Sequence, residues 1–189
     1  MQSLTPTDPL ILLYDIELQC KSILGKQKID NTLNKDLWSG LGFLVEQYQL
    51  LIQSDYISEI VDSHFWQNIS QVPGAKPWLI GLINLRGQPL PVIDLQAFLY
   101  HKPTIEADSN RLVVIKYKRI YSGLIVNKVF GLKQFEKPLR IHRDNIEKEN
   151  NCKLDQYVEN YFSDNEIYWG EFSIPSLEIN ENFLNASRY

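Results

Sequence analysis

Two prolines two residues apart, placed just after a glycine turn and inside an apolar run, constrain this chain more than any other feature. The stretch runs Val72-Pro-Gly-Ala-Lys-Pro-Trp-Leu-Ile-Gly-Leu-Ile-Asn-Leu-Arg-Gly-Gln-Pro-Leu-Pro-Val-Ile-Asp-Leu95. Its apolar residues form two runs, 78–85 and 90–95, separated by Arg86-Gly87-Gln88. Two such runs joined by a short connection containing glycine predict a β-hairpin. Pro89 and Pro91 lack N–H groups on the same strand edge. That edge cannot carry a regular ladder, so the strand must be an edge strand, be bulged, or be paired mainly on its other side. Asp94 follows at the position of an N-cap, which predicts a short helix over Leu95–Tyr100.

The remaining chain repeats the hairpin theme. Residues 40–45 and 48–53 read as strands joined at Glu46-Gln47, with a third short run over Ile57–Val61. Residues 111–117 and 121–129 form a second hairpin pattern rich in Val, Ile and Tyr, joined by Lys118-Arg119-Ile120. Residues 131–150 read as polar and irregular, with Phe135, Leu139 and Ile146 as anchors, and a last hairpin spans 158–162 and 167–174. Helix is expected only at 9–24, at 95–100 and near the C-terminus over 176–188. The first of these is amphipathic, opening at Asp8-Pro9 and presenting Leu13, Ile16, Cys20 and Ile23 on one stripe. That stripe either packs on the domain that follows, the favoured reading, or docks a partner. A polar linker at 25–36 separates it from the rest, so the expected organisation is an N-terminal extension over 1–36 and one domain over 37–189. At least seven short strands with regular turns predict a mainly β fold of barrel or sandwich type.

Composition removes several function classes. With 189 residues and 44% hydrophobic content the chain can bury one sizeable core or two small ones packed together. The formal net charge is −4 and no block of Lys or Arg forms a nucleic-acid surface. No apolar run is long enough for a membrane span. Cys20 and Cys152 lie far apart, outside any metal-ligand spacing, and read as free thiols of a reducing compartment. No phosphate loop, nucleophile elbow or Cys–His pairing is present, and His64, His101 and His142 lack an i, i+4 partner for a metal. Catalytic residues, cofactor and metal are therefore all expected to be none, with Asp94 explained as a cap rather than as a base.

The order Pro73-Gly74, Pro77, Gly81, Asn84, Arg86-Gly87, Pro91, Asp94-Leu95 resembles the signature of CheW-like signalling adaptors. The resemblance extends over roughly residues 38–184, within the boundary tolerance of such matching. Residues 41–45 and 48–52 resemble the family's opening strand pair, and 56–60 its Val-x-Glu-Ile element. Residues 123–129 resemble its Gly-Leu-x-Val-Asp-x-Val strand, with Asn127 where Asp is usual. The helix before Trp38-Ser-Gly-Leu-Gly-Phe43 resembles the PilI branch, which serves type IV pilus twitching. The resemblance implies two packed SH3-like five-stranded barrels. It also implies a non-catalytic cytoplasmic adaptor at polar, membrane-anchored receptor arrays. Its partners would be the regulatory domain of a CheA-type histidine kinase and the tip of a methyl-accepting chemoreceptor. Arg86, Glu59, Asn84 and Gly87 are the partner-binding candidates, with an Arg86–Glu59 pair expected. An adaptor of flagellar chemotaxis, or a ligand-binding or enzymatic β-barrel, are the alternatives.

Overall fold

The computed structural model describes residues 37–136, 140–142, 153–164 and 167–186. The expected helix at 9–24, the linker, both cysteines, Leu139 and Ile146 lie outside the described residues. The chain divides into two units, Met1–Leu37 and Trp38–Tyr189, and the description below concerns the second.

Among the described residues, eleven strands and three short α-helices build it. The first seven strands are β1 (Leu37–Val45), β2 (Tyr48–Gln53), β3 (Ile57–Val61), β4 (Leu79–Leu85), β5 (Gln88–Asp94), β6 (Arg111–Tyr117) and β7 (Ile120–Val126). The remaining four are β8 (Lys128–Glu136), β9 (Arg140–His142), β10 (Val158–Asp164) and β11 (Ile167–Phe172). The helices are α1 (Leu95–Tyr100), α2 (Ile174–Glu178) and α3 (Glu181–Leu184). The strands form a six-stranded sheet in the order β8-β1-β2-β11-β10-β9 and a five-stranded sheet in the order β3-β6-β7-β5-β4. This is the mainly β fold that the strand count predicts and the two-barrel architecture that the resemblance implies, with three-residue β9 as an added sixth strand on the first sheet.

Each sheet wraps its own small core. Every long strand of the first sheet contributes one residue to a cluster of Trp38, Leu51, Phe135, Phe162 and Trp169. The second sheet encloses Phe65, Ile83, Leu90, Val92, Leu112, Val114 and Ile125. A third, larger cluster lies between the sheets and takes Phe43, Leu50 and Ile52 from one and Val113, Ile115 and Leu124 from the other. Strand periodicity explains the division: successive side chains alternate faces. In β6, Leu112 and Val114 point into the barrel while Val113 and Ile115 point at the neighbouring sheet. All four are fully buried, which is why this strand reads as an unbroken apolar run rather than an alternating one. Full burial of each such side chain is worth about 1.5–3 kcal/mol. Helix α1 fills the same middle layer with Leu95, Ala97, Phe98 and Leu99, joined by Ile174, Leu177 and Phe183 of α2 and α3.

The prolines of β5 fall where they cost nothing. Leu82 exchanges both its N–H and its carbonyl with Ser70, at 2.8 Å each, so it faces away from its β5 partner Pro91. The Leu82–Pro91 pair therefore needs no donor from Pro91, and Asn84–Pro89, two residues on, has the same parity. On its other edge β5 meets β7 only over Val92–Asp94, past both prolines. Of the three options open to this strand, pairing mainly on one side is the outcome. Gly81 completes the arrangement, because a Cβ there would stand 2.3 Å from the Ser70 carbonyl oxygen.

Three expectations are corrected. The run 121–129 is not one strand: it breaks at Asn127, and its second half leaves for the other sheet. There Asn127 donates its N–H to the Leu44 carbonyl at 2.9 Å and accepts from the Glu46 N–H at 2.7 Å through Oδ1. Residues 131–136 are not irregular but complete β8, and 140–142 form β9. Along β8 the positions alternate, Leu132 and Gln134 exposed and Phe135 in the core. The C-terminal helix is two, separated at Asn180, whose side chain caps the second by accepting from the Phe183 N–H.

Candidate recognition face

The β4–β5 hairpin turns in two residues, Arg86 and Gly87, with Leu85 paired to Gln88. Gln88 belongs to the strand, not to the connection as its sequence suggested. Both turn residues have positive φ, 52° and 82°. That is the signature of a type I′ turn, whose twist matches the flanking strands. Gly87 adopts it freely, whereas a Cβ-bearing residue such as Arg86 bears a local cost of about 1–2 kcal/mol. Asn84 secures the turn by accepting the Gly87 N–H through Oδ1 at 2.8 Å.

The strained Arg86 has a defined contact. Its Nη2 donates to Oε2 of Glu59 at 2.9 Å, with Arg86 79% and Glu59 25% exposed at the side chain. Glu59 lies on β3 and Arg86 at the tip of β4–β5, and β3 and β4 are the two outer strands of the five-stranded sheet. The ion pair thus spans the open seam of that barrel. So does the backbone bridge between Ser70 and Leu82. An ion pair this exposed contributes about 0–1 kcal/mol, so its effect is to orient the guanidinium rather than to hold the fold. The structure therefore brings together all four sequence-predicted residues: Arg86, Asn84 and Gly87 in one turn, and Glu59 across from it.

Beside the pair lies a groove of about 340 Å³ lined by Leu41, Ser54, Ile57, Glu59, Ile60 and Leu132. It runs between β1 and β8 of one sheet and β3 of the other. Ile60 is 43% and Leu132 73% exposed, and apolar surface concentrated in this way marks interaction sites more often than scattered exposure does. The residues Leu41, Ile57, Ile60 and Leu132 were not singled out by sequence. Ile60 escaped notice because β3 carries a bulge between Ile57 and Glu59. A bulge adds a residue and switches the faces beyond it. Ile57 accordingly packs on the cluster between the sheets while Val61 packs on the barrel interior. The signal available was the apolar character of 57–61 next to a candidate glutamate.

The polar groups that could suggest chemistry have structural occupations. Asp94 is fully buried and accepts three hydrogen bonds, from the Ala97 N–H at 2.9 Å, the Thr104 N–H at 2.7 Å and the Thr104 hydroxyl at 2.7 Å. It caps α1, as the sequence predicts, and through Thr104 it also anchors the loop behind the helix. His101 closes α1 in the left-handed region, φ 57°. Asp62 accepts from the backbone N–H of His64. Among the described residues no group of three or more His, Cys, Asp or Glu side chains could hold a metal ion. No described helix is long and apolar enough to cross a membrane.

Two small barrels packed through a shared apolar layer, with a groove and the Arg86–Glu59 pair on one face, define a double-β-barrel module. Residues 39–151 match the family model described as CheW-like domain, and the chain belongs to that family. Protein PilI of Pseudomonas aeruginosa is 26% identical over 179 residues, covering 95% of this chain and 96% of the relative. Chemotaxis protein CheW of Bacillus subtilis is 31% identical over 104 residues, 54% of this chain and 66% of the relative. Among solved structures, the scaffolding protein TtCheW from Thermoanaerobacter tengcongensis superposes with a TM-score of 0.63 at 18% identity. That match covers 76% of this chain and 94% of TtCheW.

Proposed function

We propose that this protein is a non-catalytic adaptor that couples a chemoreceptor's cytoplasmic tip to the regulatory domain of a CheA-type histidine kinase, in the control of twitching by type IV pili. The observation that carries the proposal is one surface: an apolar groove between the barrels with the Arg86–Glu59 pair beside it. A helical receptor tip offers an apolar stripe of the right kind for such a groove, and a fixed guanidinium beside it selects register and partner charge. The pilus assignment draws support from the extent of the PilI match, 95% of this chain, against 54% for the B. subtilis CheW. Adaptors of this kind work in the cytoplasm at membrane-anchored receptor arrays, and this placement follows the same reading.

The test is calorimetric titration of Arg86→Glu against the kinase regulatory domain and against a receptor-tip fragment. At least one affinity should fall about tenfold or more, equivalent to about 1.4 kcal/mol, with an unchanged melting temperature. Adding Glu59→Arg to the same chain should recover part of the loss. Wild-type affinity for both partners in a folded Arg86→Glu protein would refute the assignment. In cells, deletion of the gene should shrink twitching zones and leave swimming intact; the opposite pattern would favour the flagellar adaptor.

A further inference from the structure

A second opening of about 330 Å³, sharing no lining residue with the groove, lies where the loop before β4, the end of α1, the turn before β10 and the α2–α3 corner meet. Its volume falls at the lower end of small-ligand sites. Trp78, Phe98 and Tyr157 contribute its aromatic wall. These rings are already locked against each other and against Phe183: Trp78 stacks on Phe183 at 5.9 Å and Phe98 meets Trp78 edge-on at 5.5 Å. The wall is therefore formed before any ligand arrives, and binding need not order it.

The rim is cationic in an acidic protein. Lys76 and Lys153 both line the opening, and no carboxylate does. Neither ammonium forms an ion pair with a carboxylate among the described residues. Lys153 rests instead against Nε2 of His101, 2.5 Å away. An imidazole nitrogen is a weaker partner for an ammonium than an anionic oxygen. His101 is placed there by its role as the helix end, its N–H bonded to the Ala97 carbonyl at 3.0 Å. The Tyr157 hydroxyl accepts from the Asn180 amide at 2.6 Å; a phenol is neutral near pH 7, and burial raises its pKa further. It adds no negative charge to the floor.

We infer that this cleft is a binding site for a small organic anion, a phosphate or carboxylate carried on a flat apolar body. The anionic group sits between Lys76 and Lys153 and the flat body lies along the edges of Trp78 and Phe98. Elements of both sheets meet at this place, so an occupant ties the two barrels together independently of the groove.

The experiment titrates phenyl phosphate and benzoate, with benzyl alcohol as the neutral control, into 15N-labelled full-length protein. The readouts are the Trp78 indole N–H and the backbone amides of His101 and Lys153. Saturable shifts confined to these signals are expected for the anions, and which anion binds more tightly identifies the preferred group. Lys76→Glu with Lys153→Glu should weaken binding about tenfold or more, while Arg86→Glu leaves it unchanged. Absence of saturable shifts, equal response to benzyl alcohol, or undiminished binding in the folded double variant would each overturn the inference. Because Arg86→Glu reads the groove and the lysine pair reads the cleft, failure of one proposal is distinguishable from failure of the other.

Discussion

The two barrels solve the same packing problem with different chain economies. The second is built from one continuous stretch, β3 to β7, closed at its seam by the Ser70–Leu82 bridge and the Arg86–Glu59 pair. The first is assembled from two separated pieces, β1–β2 and β8–β11, brought together by parallel pairing of β2 with β11 and by β1 beside β8. The difference shows what a local pattern can specify. A hairpin carries its register in its own turn, whereas a strand that pairs across the sequence is recognised only by the face it buries.

The largest expected effect tests whether the shared middle layer makes the two barrels one cooperative unit. Phe162→Ala empties the core of the first barrel, where this ring stacks on Trp38 at 4.6 Å, and should cost about 3–5 kcal/mol. Urea unfolding followed through the indole N–H signals of Trp169 in the first barrel and Trp66 in the second, in 15N-labelled protein that keeps its tryptophans, should shift together. Separate midpoints would show that the barrels melt apart. Gly81→Ala comes next. Its Cβ would meet backbone at Ser70, and overpacking of this sort costs about 1–3 kcal/mol. The loss should appear as faster amide exchange at Ser70 and Leu82, on the seam of the second barrel, before any effect at β10.

Gly87→Ala should cost about 1 kcal/mol in thermal stability. A Cβ there touches nothing within 4 Å, so the whole effect is the φ of 82°. A near-zero change would mean that the turn relaxes to another type. The smallest effect concerns pH. Burial leads in raising the Tyr56 pKa, helped by neighbouring Tyr117, and burial alone raises that of Tyr157. Neutral tyrosine is thus favoured in the folded state. Stability from this source is complete below the unfolded value of about 10 and declines as pH rises through the folded values. Denaturant midpoints at pH 8 to 11 should fall only in the upper part of that range, and Tyr56→Phe with Tyr157→Phe should flatten the decline.

The same contrast governs what could be read in advance. The β4–β5 and β6–β7 hairpins and the Asp94 cap were legible because glycine, proline and capping residues act over a few positions, whereas the Arg86–Glu59 pair, 27 residues apart, was expected only from the family resemblance. The break at Asn127 was not, since nothing within 121–129 announces that its two halves serve different sheets. The reason lies eighty residues away at Leu44 and Glu46, which bond Asn127. The groove was half legible: Glu59 was identified, but Ile60 could not be placed on an outer face without the bulge that precedes it.

The passage of the chain from one sheet to the other at Asn127 has a consequence in time. On the ribosome β1 and β2 emerge first, yet β8 follows only roughly 75 residues later. At synthesis rates of about 5–20 residues per second that is a wait of about 4–15 seconds. During it the entire second barrel can form, while Phe43, Leu50, Leu51 and Ile52 of the first hairpin lack their final partners. The later-born barrel is thereby the template on which the earlier-born hairpin is held. A pause placed one exit-tunnel length beyond Asn127, so that β7 has emerged and β8 has not, should leave a nascent chain whose second barrel resists protease more than its first hairpin does.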